Sequence, residues 1–443
     1  MRTLTAHHSP AASAPPPPLR QDATVIGLVG LAHAVSHFSQ LLLAPLFPWL
    51  KDAFNVSYTE LGALLTIFFI VSSIVQTASG FVVDRVGPRP VLLAGLALLG
   101  LAALGYAAST SYAMLAASAV LAGIGNGVFH PVDYTLLNRK IHKSRLGHAY
   151  SAHGITGTLG WALAPALMVP VAVAFGWRAA LFSGAAVAFA VLAVLVWQRD
   201  QLALEVATPA APAAPASAAK PAAVGARSTA PSLAAGTPNH AAVARPEGPF
   251  DFLSIPAVWM CFGFFFFYAM ALSVVQSFAP AAARELHAVP LPWVAACLSI
   301  YMVCSAVGMV GGGFLAADPA RCEQVVGAGM GLAACVALSV ALLPVAGWSV
   351  PLLFGLMGLF AGSAGPSRDM LVKRSTPENA SGRVFGVVYA GLDIGQAFAP
   401  LVFGRLMDLQ HYRSIWIGLA AVQLVLIVSA FNVRKVRREL LAA

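Results

Sequence analysis

Apolar residues occur along this chain in long blocks broken by short polar connections. Each block is close to the roughly 20 residues a helix needs to cross a lipid bilayer. Six blocks fall at about 24–50, 61–83, 90–109, 112–137, 147–174 and 178–198. Six more follow at about 254–282, 291–316, 324–345, 350–373, 383–408 and 413–433. Between the sets lies 199–251, whose run TPAAPAAPASAAKPAA has no apolar face to bury and suits a flexible tether. The pattern predicts an all-α integral membrane fold of twelve transmembrane helices. They would form two six-helix halves, 24–198 and 252–433, joined by the 199–251 linker. A disordered N-terminal segment, 1–23, precedes them and a basic tail, 434–443, follows.

Composition agrees. Of 443 residues 59% are hydrophobic and only 10% charged, too few for the charged shell of a water-soluble protein this long. The net charge of +9 raises the question of nucleic acid, and the placement of the basic residues answers it. They gather in alternate connections: Arg85 and Arg89; Arg139, Lys140, Lys143 and Arg145; Arg321; Lys373, Arg374 and Arg383; Arg434, Lys435, Arg437 and Arg438. The intervening connections hold few, among them Lys51, Arg178, Arg284 and Arg413. The positive-inside rule then puts both termini and the linker in the cytoplasm, across the inner (plasma) membrane, and leaves no role for nucleic acid. The first apolar block is too long for a cleaved signal and reads as a retained helix. Five cysteines without C-x-x-C spacing read as buried structural thiols.

The halves are related. A shift of 235 residues lays Pro45 on Pro280, Pro131 on Pro366, Arg139 on Arg374, Gly147 on Gly382, Gly160 on Gly395, and Ala164-Pro165 on Ala399-Pro400. The register needs no gap through the fourth and fifth blocks, as parallel repeats require.

Between the second and third blocks stands GFVVDRVGPRP, Gly80 to Pro90. With the six-plus-six arrangement, it resembles the signature of the major facilitator superfamily. The resemblance assigns Gly80 to close packing, Asp84, Arg85 and Arg89 to a cytoplasmic gating latch, and Gly87 to the tight turn. A degraded copy, GGGFLAADPAR, contains Asp318, and GTLGWALAPAL in the fifth block resembles the family's glycine-proline motif. The basic residue often found in the family's fourth helix is missing near Ala119. His37 to Gly62, Gly125 to Tyr134 and Ser367 to Leu371 are similar to the branch of fosmidomycin-resistance transporters. That likeness implies efflux of a small organic molecule.

Ionisable and polar side chains inside a span are costly and usually face a cavity or a partner. His33, His37 and Gln40 share a face of the first helix near mid-depth. Asp393 and Gln396 do so in the eleventh, and Asp393 is the first candidate for carrying a proton or contacting substrate. His130, Asp133 and His153 are expected nearer the cytoplasmic end. The 235-residue shift pairs Asp133 with Arg368, so these two either meet at a gate or pair separately. Gln276, Tyr268 and Tyr301 are polar enough to orient a ligand. Each of these residues has the competing role of hydrogen bonding or packing between helices.

No phosphate-binding loop and no H-E-x-x-H or G-x-S-x-G motif is present, so neither an ATP-driven pump nor an enzyme is indicated. The expected activity is proton-coupled efflux by alternating access, with a small-molecule substrate, no cofactor and a monomeric protein. Uptake of a small organic acid is the alternative, and a non-transporting receptor a further one. The histidines lack a Met or Cys rhythm, and no metal-ligand set is assigned from the sequence.

Overall fold

The computed structural model describes residues 18–204, 256–316, 321–368 and 382–442. Most of the 199–251 linker, residues 1–17, Asp318, Lys373 and Arg374 lie outside the described residues, as do the side chains of Arg383 and of 431–443.

The described residues are helical throughout, without strands. The first half comprises α1 (Leu19–Gln40), α2 (Phe47–Phe54), α3 (Tyr58–Val86), α4 (Pro88–Ala108), α5 (Tyr112–Asn126), α6 (Phe129–Lys140), α7 (Leu146–Phe175) and α8 (Trp177–Trp197). The second comprises α9 (Pro256–Ser277), α10 (Ala279–His287), α11 (Leu291–Leu315), α12 (Cys322–Leu342), α13 (Val350–Ser363), α14 (Gly382–Asp408) and α15 (Tyr412–Ala442). Ten helical stretches among the described residues are long and apolar enough to cross a membrane, and α14 and α15 take the eleventh and twelfth places. The protein is a multi-pass membrane protein. Large apolar side chains such as Phe81, Phe175, Trp197 and Leu352 stand exposed on its outside, as contact with hydrocarbon requires. The helix α15 runs through 434–442, so the basic segment read as a tail continues the last helix.

Four blocks that read as single helices are broken, and the breaks follow the repeat. A proline inside a helix lacks an N–H and its ring clashes with the carbonyl four residues earlier. Pro131 lies four residues after Gly127, where α5 is capped. Its equivalent Pro366 follows Gly362, just before α13 ends. Pro45 sits in a 3₁₀ turn between α1 and α2, and its equivalent Pro280 lies in the first turn of α10, just beyond α9. Interrupted spans at matching places of two repeats are where transporter folds expose backbone to a cavity.

Local chemistry sets the turns. Ser57 and Glu60 form a capping box that starts α3, with Ser57 N–H donating to Glu60 Oε2 at 2.7 Å. Gly87 sits at φ 86°, a left-handed region that favours glycine, and Pro88 opens α4 directly after it.

The packing repeats as well. In the first half α1 packs on α7, α3 on α5 and α4 on α8, while in the second α9 packs on α14, α11 on α13 and α12 on α15. The halves meet through α3 with α14 and α7 with α11. Glycines permit these crossings. A Cβ at Gly160 would collide with the backbone of Ala34, and one at its equivalent Gly395 with the backbone of Phe266. Gly123 and Gly127 face the α3 backbone in the same manner as Gly358 and Gly362 face α11.

Basic residues read from the sequence as topological anchors also tie elements together. Arg145 pairs with the buried Asp22 at 2.7 Å, fastening the start of α1 to the α6–α7 connection. Lys140 donates to the carbonyls of Gln201 and Ala203. Of the cysteines, Cys261, Cys297 and Cys322 are buried as expected, whereas Cys335 is exposed, and all five are free.

Candidate functional site

At the centre of the first half, α1, α6 and α7 bring four imidazoles around one carboxylate. Asp133 is fully buried, at 0% exposure. Its Oδ2 accepts hydrogen bonds from His33 Nδ1 at 3.0 Å and His153 Nε2 at 3.1 Å. The His33 and His153 rings stack with centroids 3.5 Å apart. His37 lies one turn along α1, its ring 4.3 Å from that of His33 and stacked on Trp161 at 4.1 Å. His130 completes the group, 5.4 Å from His33.

Gly157 makes the convergence possible. A Cβ there would stand 2.7 Å from His37 Cε1 and 2.9 Å from His33 Nε2. The sequence placed His130 and His153 closer to one end than His33, yet the fold brings their rings to 5.4 and 3.5 Å from the His33 ring.

A second polar layer adjoins the first. Asn126 Oδ1 accepts from Ser36 Oγ at 2.8 Å and Gln40 Nε2 at 3.3 Å, and its Nδ2 donates to Ser72 Oγ at 2.8 Å. Gln40 Oε1 accepts from Trp161 Nε1 at 3.0 Å. Gln40 was a candidate from sequence; Asn126, Ser36, Ser72 and Trp161 were not. A lone Asn in the apolar run before Pro131 was the available signal.

The 235-residue pairing of Asp133 with Arg368 is not formed. Asp133 is held by histidines of its own half, and the Arg368 guanidinium lies over the Tyr268 ring, 4.1 Å from its centroid. A buried carboxylate takes donors already packed beside it, and α1 and α7 supply two.

The remaining candidates lie apart from this cluster. Asp393 on α14 is half-buried at the seam between the halves and accepts from Gln76 Nε2 at 3.4 Å. Gln396, one turn on, is buried and its carbonyl accepts from Ser273 Oγ at 3.4 Å. Tyr301 is buried, its backbone against Gly358. Gln276 faces a small crevice shared with Trp49, Ser277 and Leu298, and its buried Nε2 has no hydrogen-bond partner among the described residues. In the motif between α3 and α4, Asp84 and Arg85 stand exposed and make no ion pair among the described residues; Gly80, Gly87 and Arg89 lie alongside them.

Hydrogen bonds between the halves run from one end of the bundle to its middle. At the end that carries Tyr58, Asp408 accepts from the backbone N–H of Tyr58 at 2.7 Å, the backbone N–H of Thr59 at 2.9 Å and Thr59 Oγ1 at 2.5 Å. Thr66 Oγ1 donates to the Ala397 carbonyl at 2.6 Å, and Ser299 Oγ to the Ala162 carbonyl at 3.0 Å. Between Gln76 and the Asp84 end no such bond occurs among the described residues. Phe81 and Phe314, at 72% and 81% exposure, stand near that end.

This two-half arrangement has a counterpart in sequence, where the Major Facilitator Superfamily profile matches residues 29–356 and 348–442. The chain belongs to the Major Facilitator Superfamily. Within it, the chain is 29% identical over 160 residues to the fosmidomycin resistance protein of Escherichia coli (strain K12), covering 34% of this chain and 37% of that protein. It is 26% identical over 148 residues to a probable nitrate transporter of Staphylococcus aureus (strain JH9), covering 33% of this chain and 38% of that one. The matched stretches thus span about two fifths of these relatives. Among solved structures, a bacterial homologue of the human lysosomal transporter Spinster, in an inward-facing and occupied conformation, superimposes with a TM-score of 0.71 at 13% identity. That alignment covers 94% of this chain and 98% of the other and shows a shared fold.

Proposed function

We propose that the protein is a secondary transporter that exports a small organic anion across the plasma membrane, coupled to protons, by alternating access of its two halves. The observation that carries this reading is the buried polar cluster at the centre of the first half; among the described residues, hydrogen bonds between the halves run from one end only to the middle. Polar residues in hydrocarbon are costly and mark a path. Four imidazoles in one half, and Arg368 at the equivalent place in the other, favour an anion. The likeness to a fosmidomycin resistance protein supports export. The likeness to a probable nitrate transporter supports an anion and also sustains the second reading, uptake of a small organic acid.

By the positive-inside rule the Asp84 end is cytoplasmic. The end joined by Asp408 is then external, and the conformation described opens inward. Asp84 and Arg85, exposed here, would latch the cytoplasmic end when it closes. Asp393 is the residue to which we assign the coupling proton. Among the described residues its hydrogen-bond partner is Gln76, and the nearest charges on its own helix, Arg383 and Arg405, are about three turns away on either side. Uptake of a proton there removes an uncompensated charge from the moving seam and lowers the cost of displacing it.

Counterflow in proteoliposomes tests the proposal. A panel of labelled organic anions under an imposed pH gradient is expected to yield saturable exchange that the gradient stimulates. Asp393→Asn is expected to keep exchange and lose the stimulation. Binding without exchange of any anion sinks the transporter reading, and undiminished stimulation in Asp393→Asn removes that residue from coupling.

A further inference from the structure

We propose that His33, Asp133 and His153 form a binding site for a divalent first-row transition-metal cation of the zinc type. This inference does not depend on what the protein transports. One ring nitrogen from each of His33 and His153 and one carboxylate oxygen of Asp133 lie within 4.8 Å of one another, and all three residues are buried. Around a tetrahedral ion at ordinary bond lengths, ligand atoms stand roughly 3.3 Å apart. The two imidazole nitrogens already stand 3.0 and 3.1 Å from the carboxylate oxygen, so two of the three separations match, and the third has at most about 1.5 Å to close.

The hydrogen bonds alone leave the cluster incomplete. Both imidazoles converge on Oδ2, while Asp133 Oδ1 is buried with no partner. A buried carboxylate oxygen without a partner is an available anionic ligand, and a divalent cation held here would take its remaining charge balance from an anion at its fourth position. Two nitrogens and one oxygen suit zinc, cobalt or nickel better than magnesium or calcium. Three protein ligands leave a fourth position for water or an anionic group.

The surroundings meet a further requirement. A coordinating imidazole has to place its other N–H on an acceptor. With His33 bound through Nδ1, its proton moves to Nε2. His37 Nδ1, buried and without a partner among the described residues, borders the same point above Gly157 as His33 Nε2, at 2.8 and 2.9 Å, and a turn of the rings would let it receive that proton. Coordination displaces the protons now shared with Asp133, so binding releases protons and weakens as pH falls. All three ligands lie in the first half, and the cation travels with that half when the halves move.

The test uses the purified full-length protein without an affinity tag, titrated with Zn²⁺ by calorimetry and with Co²⁺ by visible absorption. The expected result is one equivalent bound, with intense cobalt bands of four-coordinate nitrogen and oxygen ligation, and a rise in the unfolding temperature. Asp133→Asn and His153→Asn are expected to abolish the bands. His37→Ala, which removes only the outer acceptor, is expected to weaken binding about 10-fold and keep the bands. Because it leaves the ligands in place, it keeps the test informative if the other two variants fail to fold. Absence of saturable binding overturns the proposal. So do bands that persist in His153→Asn, which would place the metal on other histidines such as His142 or His148, and so does unchanged affinity in His37→Ala.

Discussion

At Gly157 the missing side chain lets two imidazoles occupy one small space. A methyl group there would overlap His37 and His33 ring atoms at 2.7 to 2.9 Å, and the rings would have to turn away from Trp161 and Asp133. Gly157→Ala is therefore expected to lower stability by about 1–3 kcal/mol, the usual cost of overfilling a packed site, read as a lower unfolding temperature in detergent. The double variant Gly157→Ala with His37→Ala should recover part of that loss, since the two positions touch and their effects do not add. A double variant that merely sums the two losses would show that the rings are not in contact. The spacing of His33, His37 and Gln40 disclosed their shared face, because helical period alone sets it. The bonds of Asp133 were not legible. His33 is 100 residues away in sequence, and periodicity tells which face a residue occupies but not which helix lies against it.

At the scale of helices, the repeated glycines allow backbones to touch. A Cβ at Gly308 would meet the backbone of Leu359, and one at Gly312 the backbone of Ser363, so α11 and α13 cross with no side chain between them. Since the obstructing atoms are main chain, they cannot rotate aside. Gly312→Ala is expected to force the helices apart and destabilise the second half by about 1–3 kcal/mol, seen as a lower unfolding temperature and loss of monodispersity. Gly311, with nothing near its Cβ direction, should tolerate the same change and serves as the control. Gly308 and Gly312 stand four apart in the sequence, the spacing that suits a close helix crossing. The interruptions at Pro45, Pro131, Pro280 and Pro366 were not read from it, though the matching prolines had been noticed. A run of apolar residues looks continuous across a break, and only the carbonyl four residues before each proline explains where the helix gives way.

For the whole molecule, the contacts between halves decide which end is joined. Asp408 bonds two backbone amides and a hydroxyl at the start of α3, where helix ends leave N–H groups without intrahelical partners. Asp408→Ala removes these three hydrogen bonds and is expected to shift the population toward opening at that end. Spin-label distances between α3 and α14 near Tyr58 should lengthen in a larger fraction of molecules. An unchanged distribution would mean the seam is held by Thr66 and Ser299 instead. The Asp408 contact was hidden from sequence, since 349 or more residues separate its partners. Its chemistry also bears on speed. When the first turn of α3 lets go of the carboxylate, its amides and the Asp408 oxygens both face water, which binds them nearly as well, so neither side is stranded. The joint behaves as a clasp that trades one set of hydrogen bonds for another of similar strength, and a transporter that must open and shut repeatedly is kept from settling in either shape.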